Sequence, residues 1–362
     1  VLESEFSFDE RVEKEIQVLQ NSGFSVAVAA YSFGTLPDVE ERNGYLIYRK
    51  KISVWKYKSS AAALILPFYF IFWYKFLNKL QTDIGFDIIH VHDLPLTKVA
   101  WKLSKKYRLK LVCDQHEFYS NWIIRTKHYN TMPGTIIKAL SHWRRYEKKF
   151  LRKADLVITV SNSLKEIYIK KIGVAPDKII TLPNTPSSGS FTPDLADDAI
   201  LNRYKNRFVL FYAGGLDHLR GIDFIMETIA CLKKDIPEIL FLIAGKENKA
   251  FQIEPRIKKW NIETNSEFLG WISLKQLSSY IAASNVCLFV PPTDNLEINN
   301  TVATKIYQYA FMGKPIIVSQ AKMMKEFVEN NGIGYAVRFG DINDFSIKVK
   351  AVYDHPDVAD SI

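Results

Sequence analysis

The stretch from Cys287 to Ser319 constrains the fold most, because it predicts a strand, a polar loop, a helix and a second strand in succession. Cys287–Val290 is a short apolar run, and Ile316–Val318 is another. Between these runs, apolar residues recur at helical spacing, at Val302, Ile306, Tyr309 and Ala310. Gly313 then ends the helix, and the proline two residues later cannot continue it. The stretch therefore predicts one βαβ unit.

A βαβ unit directs its loop and the start of its helix to the carboxyl edge of a parallel sheet, where ligands bind. Free N–H groups and the positive end of the helix dipole suit a phosphate at that point. We expect Thr301 or Thr304 to cap the helix, and the amides of Thr301, Val302 and Ala303 to face the ligand. The second half of the chain is thus predicted to hold a phosphate site.

The helix sequence KIYQYAFMGKPII resembles the donor-binding helix of the family 4 glycosyltransferases, which have the GT-B fold. The matching residues are Lys305, Tyr309, Gly313, Lys314 and Pro315. Gln308 stands where the family has Glu, and Asn300 stands eight positions earlier, so the usual E-x7-E pattern reads N-x7-Q. Both positions keep hydrogen-bonding groups and both lose a charge.

The resemblance extends in the family's order from Asp9 to about Asp344. An opening D-x-R-V pattern matches at Asp9, Arg11, Val12, Glu15, Leu19, Gly23 and Val26. Two predicted strands then end in HVHD and DQHE, which resemble family hallmarks. The resemblance implies that His116 hydrogen-bonds the transferred sugar and that His92, Asp93 and Glu117 lie on the acceptor side. His90 is interpreted as a structural residue.

Three further loops of the second half resemble donor-binding segments. In FYAGGLDHLRG, Gly214 and Gly215 allow close approach of a ligand, and Arg220 stands where the family has a cation for the diphosphate. The family commonly has Arg at the position of Gly215, and that cation is absent here. Lys246, after an apolar strand, is a further donor-binding candidate. The last three are Gly270, Trp271 and Ile272, in a segment that resembles the family segment lying next to the nucleotide base.

The chain length of 362 residues suggests two domains, and the resemblance implies an α/β protein of GT-B architecture. Two Rossmann-like parallel-sheet domains would face each other across a cleft that holds the site. We expect an acceptor-binding domain at residues 1–186, a Ser/Gly/Pro-rich linker at 187–205, and a nucleotide-sugar donor domain at 206–362.

The positive charge of the chain is confined to the first of these halves. Residues 1–186 carry 29 Lys and Arg against 18 Asp and Glu, a net +11, whereas residues 187–362 carry 19 against 21, a net −2. A basic half can face nucleic acid, an anionic membrane or an anionic substrate. Residues 118–150 are predicted to be helical and basic, with their cations spread around the helix, and no nucleic-acid motif accompanies them, so no nucleic-acid partner is expected.

Ala61–Leu77 is an apolar segment of 17 residues that Pro67 interrupts. It predicts a buried core helix, a helix that dips into a membrane surface, or a transmembrane span, for which it is short. Aromatic residues from Phe68 to Tyr74 and lysines such as Lys56 and Lys75 suit an interface, and the resembled family often acts on lipid-linked acceptors. The segment and the basic half together make an anionic membrane surface a candidate partner.

The three cysteines, Cys113, Cys231 and Cys287, lie in or near apolar runs and have no CxxC partner. This pattern argues against a disulfide framework or a zinc site and is typical of a reducing compartment. The first residue is Val1 rather than Met, and no signal peptide is visible. We expect a cytoplasmic protein, peripheral on the inner face of the plasma membrane if Ala61–Leu77 docks there.

The resemblance implies transfer of a sugar from a nucleotide diphosphate sugar to an acceptor hydroxyl, with retention and without a metal or other cofactor. The acceptor would be a glycan or a lipid-linked precursor of a surface polysaccharide. His116, Arg220 and Lys305 are the catalytic candidates. The alternatives are a non-catalytic scaffold of the same fold, which the departures at Gly215, Asn300 and Gln308 would suit, and a sugar-nucleotide epimerase.

Overall fold

A computed structural model describes residues 1–123, 133–186, 191–294 and 296–355 of the chain. The chain divides into two compact units, Val1–Pro183 and Asn184–Ile362, which we call the first and the second unit. Each unit has its own hydrophobic core. The division falls three residues before the boundary expected at residue 186, and residues 187–190 of the expected linker lie outside the described residues.

The strands of the described residues alternate largely with helices, as the βαβ pattern predicts. The strands are β1 (Ala27–Ser32), β2 (Val39–Arg42), β3 (Tyr45–Lys51), β4 (Ile88–His92), β5 (Lys110–Gln115), β6 (Leu156–Thr159), β7 (Ile179–Thr181), β8 (Phe208–Ala213), β9 (Ile239–Ala244), β10 (Ser266–Gly270), β11 (Val286–Phe289), β12 (Ile316–Ser319) and β13 (Gly334–Val337).

The α-helices are α1 (Glu10–Asn21), α2 (Val54–Lys58), α3 (Phe68–Asp83), α4 (Thr97–Tyr107), α5 (Tyr119–Trp122), α6 (Pro133–Leu151), α7 (Asn162–Ile167), α8 (Asp198–Tyr204), α9 (Ile222–Leu232), α10 (Glu254–Trp260), α11 (Leu274–Ala282), α12 (Leu296–Asn300), α13 (Thr304–Phe311), α14 (Lys322–Asn330) and α15 (Ile342–Asp354). Helix α8 lies inside the segment expected to be a linker, and its last residue, Tyr204, is buried in the second unit.

The first unit contains two small sheets. Strands β4, β5, β6 and β7 form a parallel sheet in chain order, and β1, β3 and β2 form a mixed one in which β2 is antiparallel. In the parallel sheet, His92 at the end of β4 is the register partner of Asp114 near the end of β5. The carboxyl ends of β4 and β5 therefore bring the two predicted histidine motifs to one edge.

The second unit is built on a six-stranded parallel sheet with the order β10-β9-β8-β11-β12-β13. Strands β9, β11 and β12 are buried along their whole length, which is expected for parallel strands covered on both faces. The chain moves outward from β8 in one direction and returns through β11 to move outward in the other. The switch point of the topology therefore lies between β8 and β11, where ligands bind in sheets of this class.

The apolar segment Ala61–Leu77 is not one helix. A 3-10 turn covers Ser59–Ala62, and α3 begins only at Phe68, directly after Pro67, whose ring favours a helix start. Most large residues of α3 are buried, among them Phe72 and Trp73, so the core-helix alternative holds for this part of the segment. Among the described residues, the structure contains no helix of the length and apolarity needed to cross a membrane.

The described cations of α6, in its second half, lie on one face and not around the helix as the sequence suggested. Its aromatic residues Trp143, Tyr146 and Phe150 are buried at helical spacing. Its exposed residues include Arg144, Arg145, Lys148 and Lys149. The helix therefore separates an aromatic core face from a basic surface face.

The start of α13 differs from the prediction. Leu296–Asn300 forms the short helix α12 within the segment predicted as a polar loop, and Ala303 holds the cap position of α13 without a side-chain hydrogen bond. Neither Thr301 nor Thr304 caps the helix as predicted. Because no side chain caps α13, no capping group competes with a ligand for the first amides of this helix.

Candidate functional site

The second unit places two cations at the switch point of its sheet. Strand β8 leads into Gly214–Gly215, which we call the glycine turn, and Arg220 follows in a short 3-10 turn. A Cβ built on Gly214 would lie 2.2 Å from Nζ of Lys305 on α13, and one built on Gly215 would lie 3.8 Å from Nε of Arg220. The ammonium of Lys305 and the guanidinium of Arg220 therefore both contact the glycine turn.

The glycine turn is closely packed against the end of β9. The amide of Gly214 donates to the carbonyl oxygen of Ala244 at 3.0 Å, and the amide of Gly245 donates to that of Gly270 at 2.8 Å. A Cβ built on Gly245 would lie 2.1 Å from the carbonyl oxygen of Gly214. Glycine is required at both positions because each has a positive φ and no room for a side chain.

The remaining donor-binding candidates lie at the ends of neighbouring strands or on α13. Lys246 is exposed after β9, and Trp271 and Ile272 follow β10, with Trp271 being 75% exposed. Asn300 ends α12, Thr301–Ala303 lead into α13, and Gln308 is half-buried on that helix. Since β9 and β10 lie on one side of β8 and α12 and α13 follow β11 on the other, these candidates flank the switch point.

A tyrosine that the sequence did not mark as functional supports the glycine turn. Tyr212, at 0% exposure, donates its hydroxyl to the carbonyl oxygen of Gly215 at 2.7 Å. Its ring lies 4.2 Å from Nζ of Lys305, and the ring of Phe289 lies 4.5 Å from the same atom. The sequence did not indicate a role for Tyr212 because the residue lies in an apolar strand, and such a position predicts only core packing.

The first unit collects titratable residues at the carboxyl edge of its parallel sheet. Arg11, Glu15, His92, Asp114 and His116, which we call the histidine–carboxylate cluster, come from α1, β4, β5 and the loop after β5. One guanidinium nitrogen of Arg11 lies 3.0 Å from both carboxylate oxygens of Asp114, and its Nε lies 2.9 Å from Glu15. Helix α1 is thereby tied to the sheet by charge.

His116 is joined to the cluster through a second histidine. Its Nε2 lies 3.3 Å from Nδ1 of His92 and 3.8 Å from Asp114, and its Nδ1 lies 3.8 Å from Asp93. Asp93 has a φ of 61°, and its amide donates to the carbonyl oxygen of Asp114 at 2.9 Å. The structure thus brings together three of the four residues predicted in this unit.

Glu117, the fourth, follows His116 on the same loop. Its carbonyl oxygen accepts a hydrogen bond of 2.9 Å from the hydroxyl of Tyr168, a fully buried residue. The same hydroxyl lies 3.3 Å from the carboxylate of Glu147, which belongs to α6. The loop that carries His116 and Glu117 is therefore anchored from behind by Tyr168.

The residues of the cluster have pKa values shifted in different directions, so some favour the charged form and others the neutral form. Burial lowers the pKa of His92 well below its usual value, and burial with the neighbouring Asp114 raises the pKa of Glu15 well above its own. For Asp114, burial favours the neutral acid, but the hydrogen bond with His116, the neighbouring imidazole of His92 and the guanidinium of Arg11 hold its pKa below the usual range. His116, despite its burial, has a raised pKa because of Asp114 and Asp93.

Four side chains here carry nitrogen and oxygen atoms of the kinds that bind metal ions. The ligand atoms of Glu15, His90, His92 and Asp114 lie within 4.8 Å of one another. The guanidinium of Arg11 already pairs with both carboxylates of this set, and a cation in their midst would be repelled by it. The geometry therefore fits an ion-pair cluster with Arg11 as its cation.

Comparison with known proteins gives two family matches. Residues 11–185 match the model described as Glycosyltransferase Family 4, and residues 195–362 match the model described as Glycosyl transferases group 1. Together these matches cover nearly the whole chain, in the order that the resemblance implied.

Individual relatives are distant. The chain is 23% identical over 347 residues to the UDP-Gal:alpha-D-GlcNAc-diphosphoundecaprenol alpha-1,3-galactosyltransferase of Escherichia coli, covering 92% of this chain and 81% of that protein. It is 22% identical over 187 residues to the GPI3 subunit of phosphatidylinositol N-acetylglucosaminyltransferase of Saccharomyces cerevisiae (strain YJM789), covering 51% of this chain and 40% of that protein. For the first curated relatives it matches, the chain spans 40% to 64% of their length.

Solved structures support the fold. The sucrose-phosphate synthase of Thermosynechococcus elongatus superimposes with a TM-score of 0.73 at 18% identity, covering 96% of this chain and 84% of that one. At this identity the likeness bears on the fold alone.

Proposed function

The chain belongs to the family 4 glycosyltransferases and has the GT-B fold, and we propose that it transfers a sugar from a nucleotide diphosphate sugar to an acceptor hydroxyl with retention of configuration. The observation that carries this proposal is the convergence of Lys305 and Arg220 on the glycine turn at the switch point. Negative charge develops on the departing diphosphate, and fixed cations at that place lower the barrier.

Each donor group has a proposed partner in the second unit. Arg220, Lys305 and the amides of Thr301–Ala303 bind the diphosphate. The base lies against Gly270–Ile272 with Lys246 nearby, and the ribose hydroxyls bind Gln308 and Asn300. Because two protein cations supply the charge that a metal would otherwise supply, we propose that no metal is required.

The first unit is proposed to bind the acceptor. His116 hydrogen-bonds the transferred sugar near its reacting carbon, while His92, Asp93 and Glu117 form the acceptor side. A lipid-linked acceptor is supported by the names of two relatives, one acting on a diphosphoundecaprenol and one on phosphatidylinositol. The names of the same two relatives support a hexose or an acetamido hexose as the transferred sugar.

The direct test is transfer or slow hydrolysis of the donor, measured with UDP- and GDP-linked sugars in the presence of EDTA. We expect release of one nucleoside diphosphate with at least one donor, and its loss in the Arg220→Ala variant. A well-folded protein that binds these donors but releases no nucleoside diphosphate would support the scaffold alternative. Release only after addition of a divalent cation would contradict metal independence.

Gln308 gives a prediction specific to this chain. Its amide oxygen accepts from one ribose hydroxyl and its NH₂ group donates to the other. We expect Gln308→Ala to weaken binding of the nucleoside diphosphate by about 1 kcal/mol, and Gln308→Glu to keep or improve it. Calorimetric titration of the three proteins measures this. Unchanged affinity in Gln308→Ala would remove α13 from the ribose site.

An apolar surface of the first unit is proposed to dock on an anionic membrane. Trp55, Ile65, Leu66, Phe68 and Ile71, which we call the docking face, are 41% to 69% exposed, and the rings of Trp55 and Phe68 are in contact. Exposed Lys58 ends α2, the helix of Trp55, and exposed Lys75 lies on α3, the helix of Phe68 and Ile71. Apolar residues with adjacent lysines, in a half with a net charge of +11, suit the headgroup region of anionic lipids.

Sedimentation with vesicles tests the docking face. We expect the triple variant Trp55→Ser, Phe68→Ser and Ile71→Ser to lose binding to anionic vesicles while it keeps its fold, and high salt to weaken binding of the wild type. Phe72 and Trp73, which the sequence placed in the same interface, are buried, so their replacement would destabilise the core instead.

The matched control is Val18→Ser with Phe24→Ser, two exposed apolar residues at and after α1. This control should bind vesicles as the wild type does. Equal binding by the triple variant and the wild type would contradict the docking face.

A further inference from the structure

Lys305 occupies an unusual position for a lysine side chain. Its ammonium lies between the rings of Tyr212 and Phe289, at 4.2 and 4.5 Å from their centroids. It also fills the space in which a Cβ on Gly214 would stand. The side chain is thus directed inward over the glycine turn, away from the solvent positions that lysines usually reach.

Among the described residues, no carboxylate lies within ion-pair distance of Lys305. Asp217 acts on it electrostatically, but that carboxylate is paired with Arg220, with 3.5 Å between Oδ2 and Nε. The glycine turn therefore carries two cations against one acid. Lys305 is only half-buried, but an ammonium that is partly shielded from water and has no counter-ion is less stable than a fully hydrated one unless a ligand supplies the counter-ion.

We propose that Tyr212 and Phe289 are positioning residues, which hold the ammonium of Lys305 over the glycine turn at the place where the proposed donor site puts the diphosphate. This inference rests on the proposed function and deepens it. Tyr212 acts twice, because its ring faces the ammonium while its hydroxyl fixes the carbonyl group of Gly215. Phe289 acts from the end of β11, on the other side of the switch point.

The arrangement couples donor binding to a proton. Burial, and next the charge of Arg220, lower the pKa of Lys305 to about 7, with Asp217 opposing them. The hydroxyl of Tyr212, whose pKa burial raises, stays neutral in this range. A diphosphate stabilises the charged ammonium, so its pKa rises in the complex. Above roughly pH 7, binding must then take up a proton, and affinity falls by up to about tenfold per pH unit.

Calorimetric titration with UDP and with GDP, in buffers of different ionisation enthalpy between roughly pH 7 and pH 9, measures this proton directly. We expect the wild type to take up nearly one proton at the alkaline end. Lys305→Arg keeps its charge over this range, so it should bind without that uptake and lose affinity less steeply. Lys305→Met should lose both the uptake and at least tenfold in affinity. The ionisation of the nucleotide itself is common to all three proteins.

The positioning residues are tested in two backgrounds. Phe289→Leu removes an aromatic face at similar volume, and Tyr212→Phe removes the hydroxyl while it keeps the ring. Phe289→Leu should weaken binding severalfold and shift the pH at which affinity begins to fall. In the Lys305→Arg background, the pH shift should disappear. A merely structural role for Phe289 would weaken binding equally in both backgrounds and move no pH profile.

The outcomes separate this inference from the proposed function. If the wild type binds nucleoside diphosphates but shows the proton uptake and pH profile of Lys305→Arg, the inference is wrong and the donor site stands. If the wild type binds neither UDP nor GDP at any pH, the proposed function fails together with the inference. Should Lys305→Met not fold, the comparison of the wild type with Lys305→Arg decides alone.

Discussion

Replacing Arg11 by methionine is expected to lower the free energy of unfolding of the first unit by about 3–5 kcal/mol at neutral pH. One guanidinium nitrogen of Arg11, Nη2, lies 3.0 Å from both oxygens of Asp114, whose side chain is completely buried, and Nη1 donates to the carbonyl oxygen of Leu182 at 3.2 Å. Without the guanidinium, the buried carboxylate loses this cation and keeps longer contacts, at 3.7 to 3.9 Å, with the imidazoles of His90, His92 and His116. That loss exceeds any gain from the apolar side chain.

Denaturant unfolding followed by tryptophan fluorescence measures this effect, because five of the seven tryptophans lie in the first unit. Lys79→Met is the matched control, since Lys79 and Asp83 form an exposed i,i+4 pair whose loss should change stability by about 0.5 kcal/mol or less. Adding Asp114→Asn to Arg11→Met should restore part of the loss. A single variant as stable as the Lys79→Met control would contradict the role given to Arg11.

The same pair has a defined pH dependence. The folded pKa of Asp114 lies below its unfolded value of roughly 4, so its contribution is complete above that pH and is lost as the pH falls toward the folded value. The wild type should therefore lose stability on acidification below about pH 4 more steeply than Arg11→Met does.

Replacing His116 by alanine is expected to reduce turnover more than tenfold while the affinity for the nucleoside diphosphate changes little. Its proposed partner is the transferring sugar, whereas the diphosphate is proposed to bind in the second unit. The side chain is 30% exposed and is oriented by His92, Asp114 and Asp93, so it is available to a ligand without being free to rotate away. Steady-state kinetics and calorimetry of the same preparation measure the two quantities.

Glu117→Gln is the companion variant, and it should be milder because the structure ties this residue down through its carbonyl oxygen rather than through the carboxylate alone. A loss of affinity as large as the loss of turnover in His116→Ala would give His116 a structural role. A loss in Glu117→Gln equal to that in His116→Ala would move the proposed sugar contact from the histidine to the loop as a whole.

The order of strands and helices could be predicted from the sequence because it depends on local patterns. Apolar runs bounded on one side by proline or glycine predicted β8, β9, β11 and β12 to within about two residues. The start of α3 at Phe68 was harder to predict, since Ala61–Leu77 is apolar on both sides of Pro67. Hydropathy alone does not indicate where one helical segment ends and the next begins. The described cations of α6 lie on one face because Trp143, Tyr146 and Phe150 define the other, which only the packed structure reveals.

The candidate residues of the site were marked by sequence, but their relations were not. Motifs indicated His116, Arg220 and Lys305 individually, because each stands in a recognisable string. The bond between Arg11 and Asp114 spans 103 positions, and the contact between Tyr212 and Lys305 joins a strand to a distant helix. Such contacts depend on how separate elements pack, and no local pattern of residues encodes them.

The close packing of Gly245 on the glycine turn also limits the amino-acid substitutions that this protein can accept during evolution. The backbone of Gly245 occupies the space beside the carbonyl oxygen of Gly214, while Lys305 occupies the space on its other side. A side chain at Gly245 would displace the backbone of the glycine turn, whereas a side chain at Gly214 would displace the ammonium of Lys305. Side chains are therefore disfavoured at the ends of both β8 and β9, and variation of the proposed donor site has to proceed through the flanking positions, of which Gly215 is the one in the turn with room for a side chain.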